Sequence, residues 1–172
     1  DGGKKRMLLW TSERDNWTHL YLYDVASGKL VRQVTRGEWP VRSVQYVDEA
    51  KGVVYFSASG MNKDEDPYLV HYYKIGLDGK NLTCLTPENA NHRAVYSSDY
   101  RYLVDTYSRV DLAPVTVLRS GEDGRLLKTL ETADISRLTA NGWVAPEVFK
   151  AKGRDGKTDM WGIIQRPTNF DP

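Results

Sequence analysis

Apolar and aromatic side chains fall along this chain in short runs, not at helical spacing. Met7-Leu8-Leu9-Trp10, Leu20-Tyr21-Leu22-Tyr23, Val53-Val54-Tyr55-Phe56 and Val115-Thr116-Val117-Leu118 are typical. Each is rich in β-branched or aromatic residues, which suit a pleated, half-buried surface. Turn pairs separate the runs: Ser27-Gly28, Asp78-Gly79, Asp123-Gly124 and Asp155-Gly156. Gly, Asn and Asp tolerate the positive φ that tight hairpins demand. No segment of about 12 residues carries an apolar stripe at 3.6 spacing, so the pattern predicts an almost entirely β chain.

The runs repeat. Tyr21-Leu22-Tyr23, Gly28-Lys29 and Val34-Thr35 form one set; Tyr72-Tyr73-Lys74, Gly79-Lys80 and Leu85-Thr86 form another, 51 residues later at each place. A weaker third copy runs Val115-Thr116-Val117, Gly124-Arg125 and Thr129-Leu130. Repeats of about 40–50 residues, each with about four short strands, are the signature of propeller blades. The first unit, about 5–40, shows three strands (6–12, 18–25, 29–36) and lacks an innermost one. The second, about 41–88, has four: 43–47, 52–57, 68–77 and 82–86. The third, about 92–131, has four: 94–97, 102–107, 114–119 and 126–130. Residues 132–145 read as a linker with room for one helical turn. A last hairpin follows in 146–172, with strands near 147–151 and 160–164 around Gly153-Arg154-Asp155-Gly156.

The expected fold is therefore all-β: a partial β-propeller over 1–131 with about three blades, then a linker and a hairpin. Two or three blades cannot close a ring, so strand edges and apolar faces stay open. Association with another copy, by strand exchange at those edges, is the expected way to cover them. Neither Asp1-Gly2-Gly3-Lys4 nor Asn169-Phe170-Asp171-Pro172 reads as a natural terminus, so a longer parent is expected.

Composition changes little. The 172 residues are 40% hydrophobic and 27% charged, ordinary for a globular chain. Lys plus Arg (24) nearly equals Asp plus Glu (23), which argues against a nucleic-acid partner. The basic run Lys4-Lys5-Arg6 reads as a solvated end. Cys84 is the single cysteine; it has no disulfide partner and no zinc-ligand neighbours, and reads as a buried thiol. No run approaches about 20 apolar residues, so no membrane span is predicted.

Several stretches resemble, in order, the propeller of the dipeptidyl peptidase IV family of serine exopeptidases. They are Trp10-Thr11-Ser12-Glu13-Arg14-Asp15 with His19-Leu20-Tyr21-Leu22-Tyr23-Asp24, Val34-Thr35-Arg36-Gly37-Glu38-Trp39-Pro40-Val41, and Val53-Val54-Tyr55-Phe56-Ser57-Ala58. His92-Arg93-Ala94-Val95-Tyr96-Ser97 and Val104-Asp105-Thr106-Tyr107-Ser108 continue the match. Pro146-Glu147-Val148-Phe149, Asp155-Gly156-Lys157-Thr158 and Pro167-Thr168-Asn169-Phe170-Asp171-Pro172 resemble the hairpin that opens that family's α/β-hydrolase domain. The resemblance implies an eight-bladed propeller joined to a hydrolase domain. The implied activity is removal of N-terminal dipeptides ending in proline or alanine, or of tripeptides in a related class. It implies a peptide substrate for the whole protein and a periplasmic, cell-envelope or secreted location. It also places the family's catalytic triad and oxyanion tyrosine beyond Pro172, and its amine-binding glutamate pair before Asp1.

The residues agree that the chemistry lies elsewhere. A hydrolase of this type needs Ser, His and Asp together, with the serine on a Gly-x-Ser-x-Gly elbow. No such pentapeptide occurs; the nearest, Phe56-Ser57-Ala58-Ser59-Gly60, lacks the first glycine. His19, His71 and His92 lie in strands or at strand edges and read as structural. Glu13, Arg14 and Asp15 read as a charged blade turn. Asn62-x-Asp64-x-Asp66 alternates oxygen ligands as a calcium loop does, but lacks the Gly and the distant Glu. It reads as an acidic loop. Asn16-Trp17-Thr18 and Asn81-Leu82-Thr83 fit the glycosylation triplet. Trp39, Trp143 and Trp161 are expected between blades or against a neighbouring domain. No catalytic, cofactor-binding or metal-binding residue is assigned, and no cofactor is called for. A non-enzymatic propeller that binds protein, or a tripeptidyl or acylaminoacyl peptidase relative, are the alternatives.

Overall fold

The computed structural model describes residues 6–170. Lys4, Lys5, Asp171 and Pro172, which figure in the sequence reading, lie outside the described residues. Among the described residues thirteen strands form four antiparallel sheets. The first blade holds β1 (Met7–Ser12), β2 (His19–Asp24) and β3 (Leu30–Gln33), in the order β1-β2-β3. The second holds β4 (Val41–Asp48), β5 (Val53–Ser59), β6 (Val70–Gly76) and β7 (Thr83–Cys84). The third holds β8 (Asn91–Tyr96), β9 (Tyr102–Arg109), β10 (Leu112–Ser120) and β11 (Leu126–Thr132). Among the described residues a single short helix, α1 (Ser136–Ala140), follows β11, and β12 (Glu147–Lys152) pairs with β13 (Asp159–Ile164). The sheets are meanders and none closes into a barrel.

Stacking of blade faces makes the core. In β5 the side-chain period of two splits the strand between its neighbours. Val54, Phe56 and Ala58, all at 0% exposure, pack with Leu20 and Val34 of the first blade, and with Tyr73 and Ile75. Tyr55 turns the other way, onto Leu85 and Leu103, with Tyr96 and Tyr100 of the third blade against it. The second blade is thus covered on both faces. The open faces of the others keep Leu8 and Trp10 (first) and Val95 and Val104 (third) exposed.

The motif Thr35-x-Gly37-x-Trp39 has a mechanical reading. The Thr35 hydroxyl accepts the Leu20 N–H at 2.9 Å, replacing a backbone carbonyl where β3 ends. It also lies 3.0 Å from His19 Nδ1, while His19 Nε2 donates to the Gly37 carbonyl at 2.9 Å. Gly37, at φ 138°, leaves room for the Trp39 ring; a Cβ there would stand 2.2 Å from Trp39 Nε1. Trp39 meets His19 edge to face at 5.0 Å and stacks on Phe56.

The second blade repeats the device: the Thr86 hydroxyl accepts the Tyr72 N–H at 2.8 Å and its carbonyl accepts from His71 Nδ1. This explains why β7 is two residues long where the sequence predicts five. Past Cys84 and Leu85 the ladder continues through a side chain. The structure also corrects the repeat. Tyr21 pairs with Gln33 and Tyr73 with Cys84, so equivalent positions are 52 apart in the inner strand and 51 in the outer. The hairpin closed by Asp24 and Lys29 spans one residue more than that closed by Gly76 and Lys80. Cys84 is half-buried rather than buried, and burial raises its thiol pKa.

The third blade seats its β10–β11 hairpin against the second through Gly124, at φ 74°, where a Cβ would lie 2.6 Å from the Leu85 Cα. Gly28 has nearly the same φ, 65°, with nothing near. Gly28→Ala is expected to cost about 1 kcal/mol of stability, the left-handed penalty alone, and Gly124→Ala about 2 kcal/mol or more. Urea unfolding of both variants checks the order; equal losses would contradict the close approach.

Candidate functional site

In an antiparallel meander the connections alternate between the two ends of the sheet. The turns β1–β2, β5–β6 and β9–β10 therefore share one rim with the blade-to-blade connections β3–β4 and β7–β8. On this rim Glu13 and Asp15 face one Arg14, and Asp64, Glu65 and Asp66 face one Lys63. Glu38, Glu88 and Asp111 add to them against Arg36 and Arg109, so carboxylates outnumber cations eight to four. The turns of the opposite rim carry five carboxylates and five cations, with ion pairs of Lys51 with Asp48, Arg101 with Asp99 and Arg125 with Asp123.

A cleft of about 530 Å³ opens where the acidic rim meets the β12–β13 hairpin. Its rim side is Asp64, Glu65, Asp66 and Leu69 of the second blade with Asn89, Asn91 and Arg109 to Asp111. Its other wall is Val148, Trp161 and Ile163. Arg109 forks onto Asp111 at 2.7 and 3.1 Å and donates to the Asn89 carbonyl at 2.7 Å. Glu65 accepts from Asn62 and faces His71 Nε2, each at 3.0 Å. Among the described residues neither Asp64 nor Asp66 has an ion-pair partner within 4.0 Å, and Asp66 caps the turn through the Tyr68 N–H. Lys150, held by Asp159, stands 5.3 Å over the Trp161 ring.

Beneath the rim lies a buried charged cluster that the sequence reading did not single out. Arg119, 1% exposed, donates from Nε to Asp105 at 2.9 Å and from Nη2 to Glu88. His92 Nδ1 lies 3.0 Å from both Asp105 oxygens and Nε2 2.8 Å from the Glu88 carbonyl. Both ring nitrogens of His92 face acceptors. Burial opposes the charge on Arg119, and its bonds to Glu88 and Asp105 outweigh that, so its pKa ends above the ordinary value. Glu88, His92 and Asp105 have the spacing of a metal site, but the guanidinium already takes both carboxylates. The cluster ties the β7–β8 connection to β8, β9 and β10. A signal for it was present: Asp105 and Arg119 fall in phase with Leu103 and Val117, both buried.

The other candidates are spoken for. His19, His71 and His92 each use both ring nitrogens as described. Ser57 shares a 2.9 Å hydrogen bond with Ser43. Asp15 accepts from Tyr21 Oη and Gln33, and Arg14 lies 4.1 Å over the Tyr21 ring, so this turn is fastened to the first blade's open face. Asn16 and Asn81 sit in exposed turns at φ 71° and 57°. Trp39 is buried, while Trp143 and Trp161 are half-buried.

Sheets of this order stacked face to face define the class: consecutive blades of a β-propeller. The profile of the family "Dipeptidyl peptidase IV (DPP IV) N-terminal region" matches residues 2–114. The chain belongs to that family. Dipeptidyl peptidase 4 of Trichophyton rubrum is 30% identical over 94% of this chain and 20% of its own length. A probable dipeptidyl peptidase 4 of Arthroderma benhamiae is 30% identical over 100% of this chain and 22% of its own. The crystal structure of Porphyromonas gingivalis dipeptidyl peptidase 4 superposes with a TM-score of 0.76 and 26% identity, over 98% of this chain and 23% of that one. A putative dipeptidyl aminopeptidase IV from Bacteroides ovatus shares the fold, with a TM-score of 0.74. The chain thus spans about a fifth to a quarter of the proteins it matches. No helix among the described residues is long and apolar enough to cross a membrane.

Two outcomes are expected. Arg119→Met leaves Asp105 buried without its cation and costs about 3–5 kcal/mol. Adding Asp105→Leu restores much of it, which a double-mutant cycle in urea measures. In the hairpin, the Thr158 hydroxyl and the Lys157 and Thr158 N–H groups hold the Asp155 carboxyl at about 2, below the ordinary 3.8. With the folded value depressed, the turn's stabilisation is full above pH 3.8 and lost as pH falls through about 2. The amide shift of Thr158 in an NMR pH titration follows that midpoint, and Asp155→Asn abolishes it.

Proposed function

We propose that this chain is the part of a dipeptidyl peptidase IV-like serine exopeptidase in which the last propeller blades pass into the hydrolase domain. On this reading residues 1–131 are blades, 132–145 the linker, and 146–172 the first hairpin of the hydrolase domain. The parent removes N-terminal Xaa-Pro or Xaa-Ala dipeptides from peptides, and the blades shape access to the reaction site. The family match over residues 2–114 carries this reading, and the similarity to the Porphyromonas gingivalis enzyme over 98% of the chain supports it.

The catalytic serine, histidine and aspartate belong to chain beyond Pro172. The engagement of all three histidines in blade-internal bonds supports that division. The location is periplasmic, cell-envelope or secreted, by analogy with the family. Alone, the chain associates with copies of itself through the free edge of β1 and the open blade faces.

The full-length protein is expected to release a chromophore from a Gly-Pro anilide, and the purified 172-residue chain to release none. Turnover by the chain that a serine-directed inhibitor stops would put the nucleophile inside it and overturn the assignment. A parent that leaves such substrates intact would overturn the activity itself.

A further inference from the structure

We infer that the cleft between the acidic rim and the β12–β13 hairpin is a docking groove for an arginine or lysine side chain of an extended peptide. The inference rests on the peptidase reading only in taking a peptide as the occupant. The groove itself supplies the rest.

Its lining is two-sided. Leu69 and Val110 face Val148, Trp161 and Ile163 as apolar walls. Carboxylates stand at the rim: Asp111 is satisfied by Arg109, and Glu65 is engaged with His71, but among the described residues Asp64 and Asp66 have no ion-pair partner within 4.0 Å. An occupant that suits both parts has a long apolar stem and a cationic tip. Lys and Arg are built that way, with the stem lying along apolar surface while the head stays polar. The groove already shows both contacts from its own side chains. Arg109 forks onto a rim carboxylate, and the Trp161 ring carries the Lys150 ammonium. Charge sign supports the same occupant, because the excess of carboxylates is on this rim, while the turns of the opposite rim carry five carboxylates and five cations. A like-signed cluster beside low-dielectric walls raises the local concentration of opposite charge.

The test uses the 172-residue chain and three dye-labelled, N-acetylated pentapeptide amides that differ only at the centre: Arg, Gln or Glu. Fluorescence anisotropy at low salt is expected to show the Arg peptide binding about tenfold more tightly than the Gln peptide, and the Glu peptide weakest. The preference shrinks at high salt. Asp64→Asn with Asp66→Asn brings the Arg peptide down to the Gln level, and Trp161→Ala weakens both. Asp123→Asn, on the opposite rim, changes nothing, and far-UV circular dichroism verifies that each variant is folded. Equal binding of the Arg and Gln peptides, no binding of any, or an Arg preference that survives Asp64→Asn with Asp66→Asn overturns the inference. A Gln peptide with a free amino terminus that matches the acetylated Arg peptide also overturns it, because the groove would then read an ammonium terminus. No hydrolysis is involved, so failure here leaves the peptidase reading standing, and failure of that reading leaves the binding result standing.

Discussion

The constraint behind this structure is that a strand in the middle of a blade has two faces, and both must be covered. Alternation in β5 satisfies it by sending Phe56 to one neighbour and Tyr55 to the other. Each covered face removes apolar area from water, worth roughly 25 cal/mol per Å², and the blade order follows. The second blade is the anchor because it alone has a neighbour on each side. The first and third blades each have one covered face.

Stacking alone does not fix how far one blade turns relative to the next. Polar side chains at the blade connections do. Thr35 and Thr86 end the outer strands by putting a hydroxyl where a carbonyl would be, and the histidine beside each holds the departing chain. The β7–β8 connection that Thr86 opens is held a second time, by ions. Glu88 leaves the second blade, and Arg119 of β10 draws it onto Asp105 and His92. Buried ions cost more desolvation than a histidine–threonine pair and return less net stability. What they add is direction, because a planar guanidinium donates to its carboxylates only in its own plane.

Much of this was legible. Short runs of β-branched and aromatic residues between Asx-Gly or Ser-Gly turns located the strands to within a few residues, and the repeat gave the blades. What escaped was geometry that spacing cannot carry. The 51-residue offset placed Tyr21 on Tyr72, whereas Tyr21 pairs as Tyr73 does, since one hairpin is a residue longer and the β2–β3 ladder carries a bulge near Leu22. Asp105 and Arg119 are hard to place from sequence because charged residues in a strand normally belong to the solvent face. Their phase with Leu103 and Val117 contradicts that assignment. Asp64 and Asp66 lie in the acidic loop between β5 and β6 that their spacing predicts. Their setting opposite Trp161 depends on a hairpin some 95 residues away, a distance no local pattern spans.

That setting follows from parity. A meander with four strands per blade returns every blade-to-blade connection to the same end as the middle turn. Whatever those loops carry accumulates on one rim, and the linker after β11 leaves from that rim too. The chain therefore has no freedom to put its terminal hairpin against the opposite end without crossing a blade. Acidic loops and the hairpin's apolar face are brought together by strand count, before any specific contact between them forms. Sequence change in the loops then alters the chemistry of the groove without disturbing the stacked faces that hold the blades, because loops and strand faces bury different side chains.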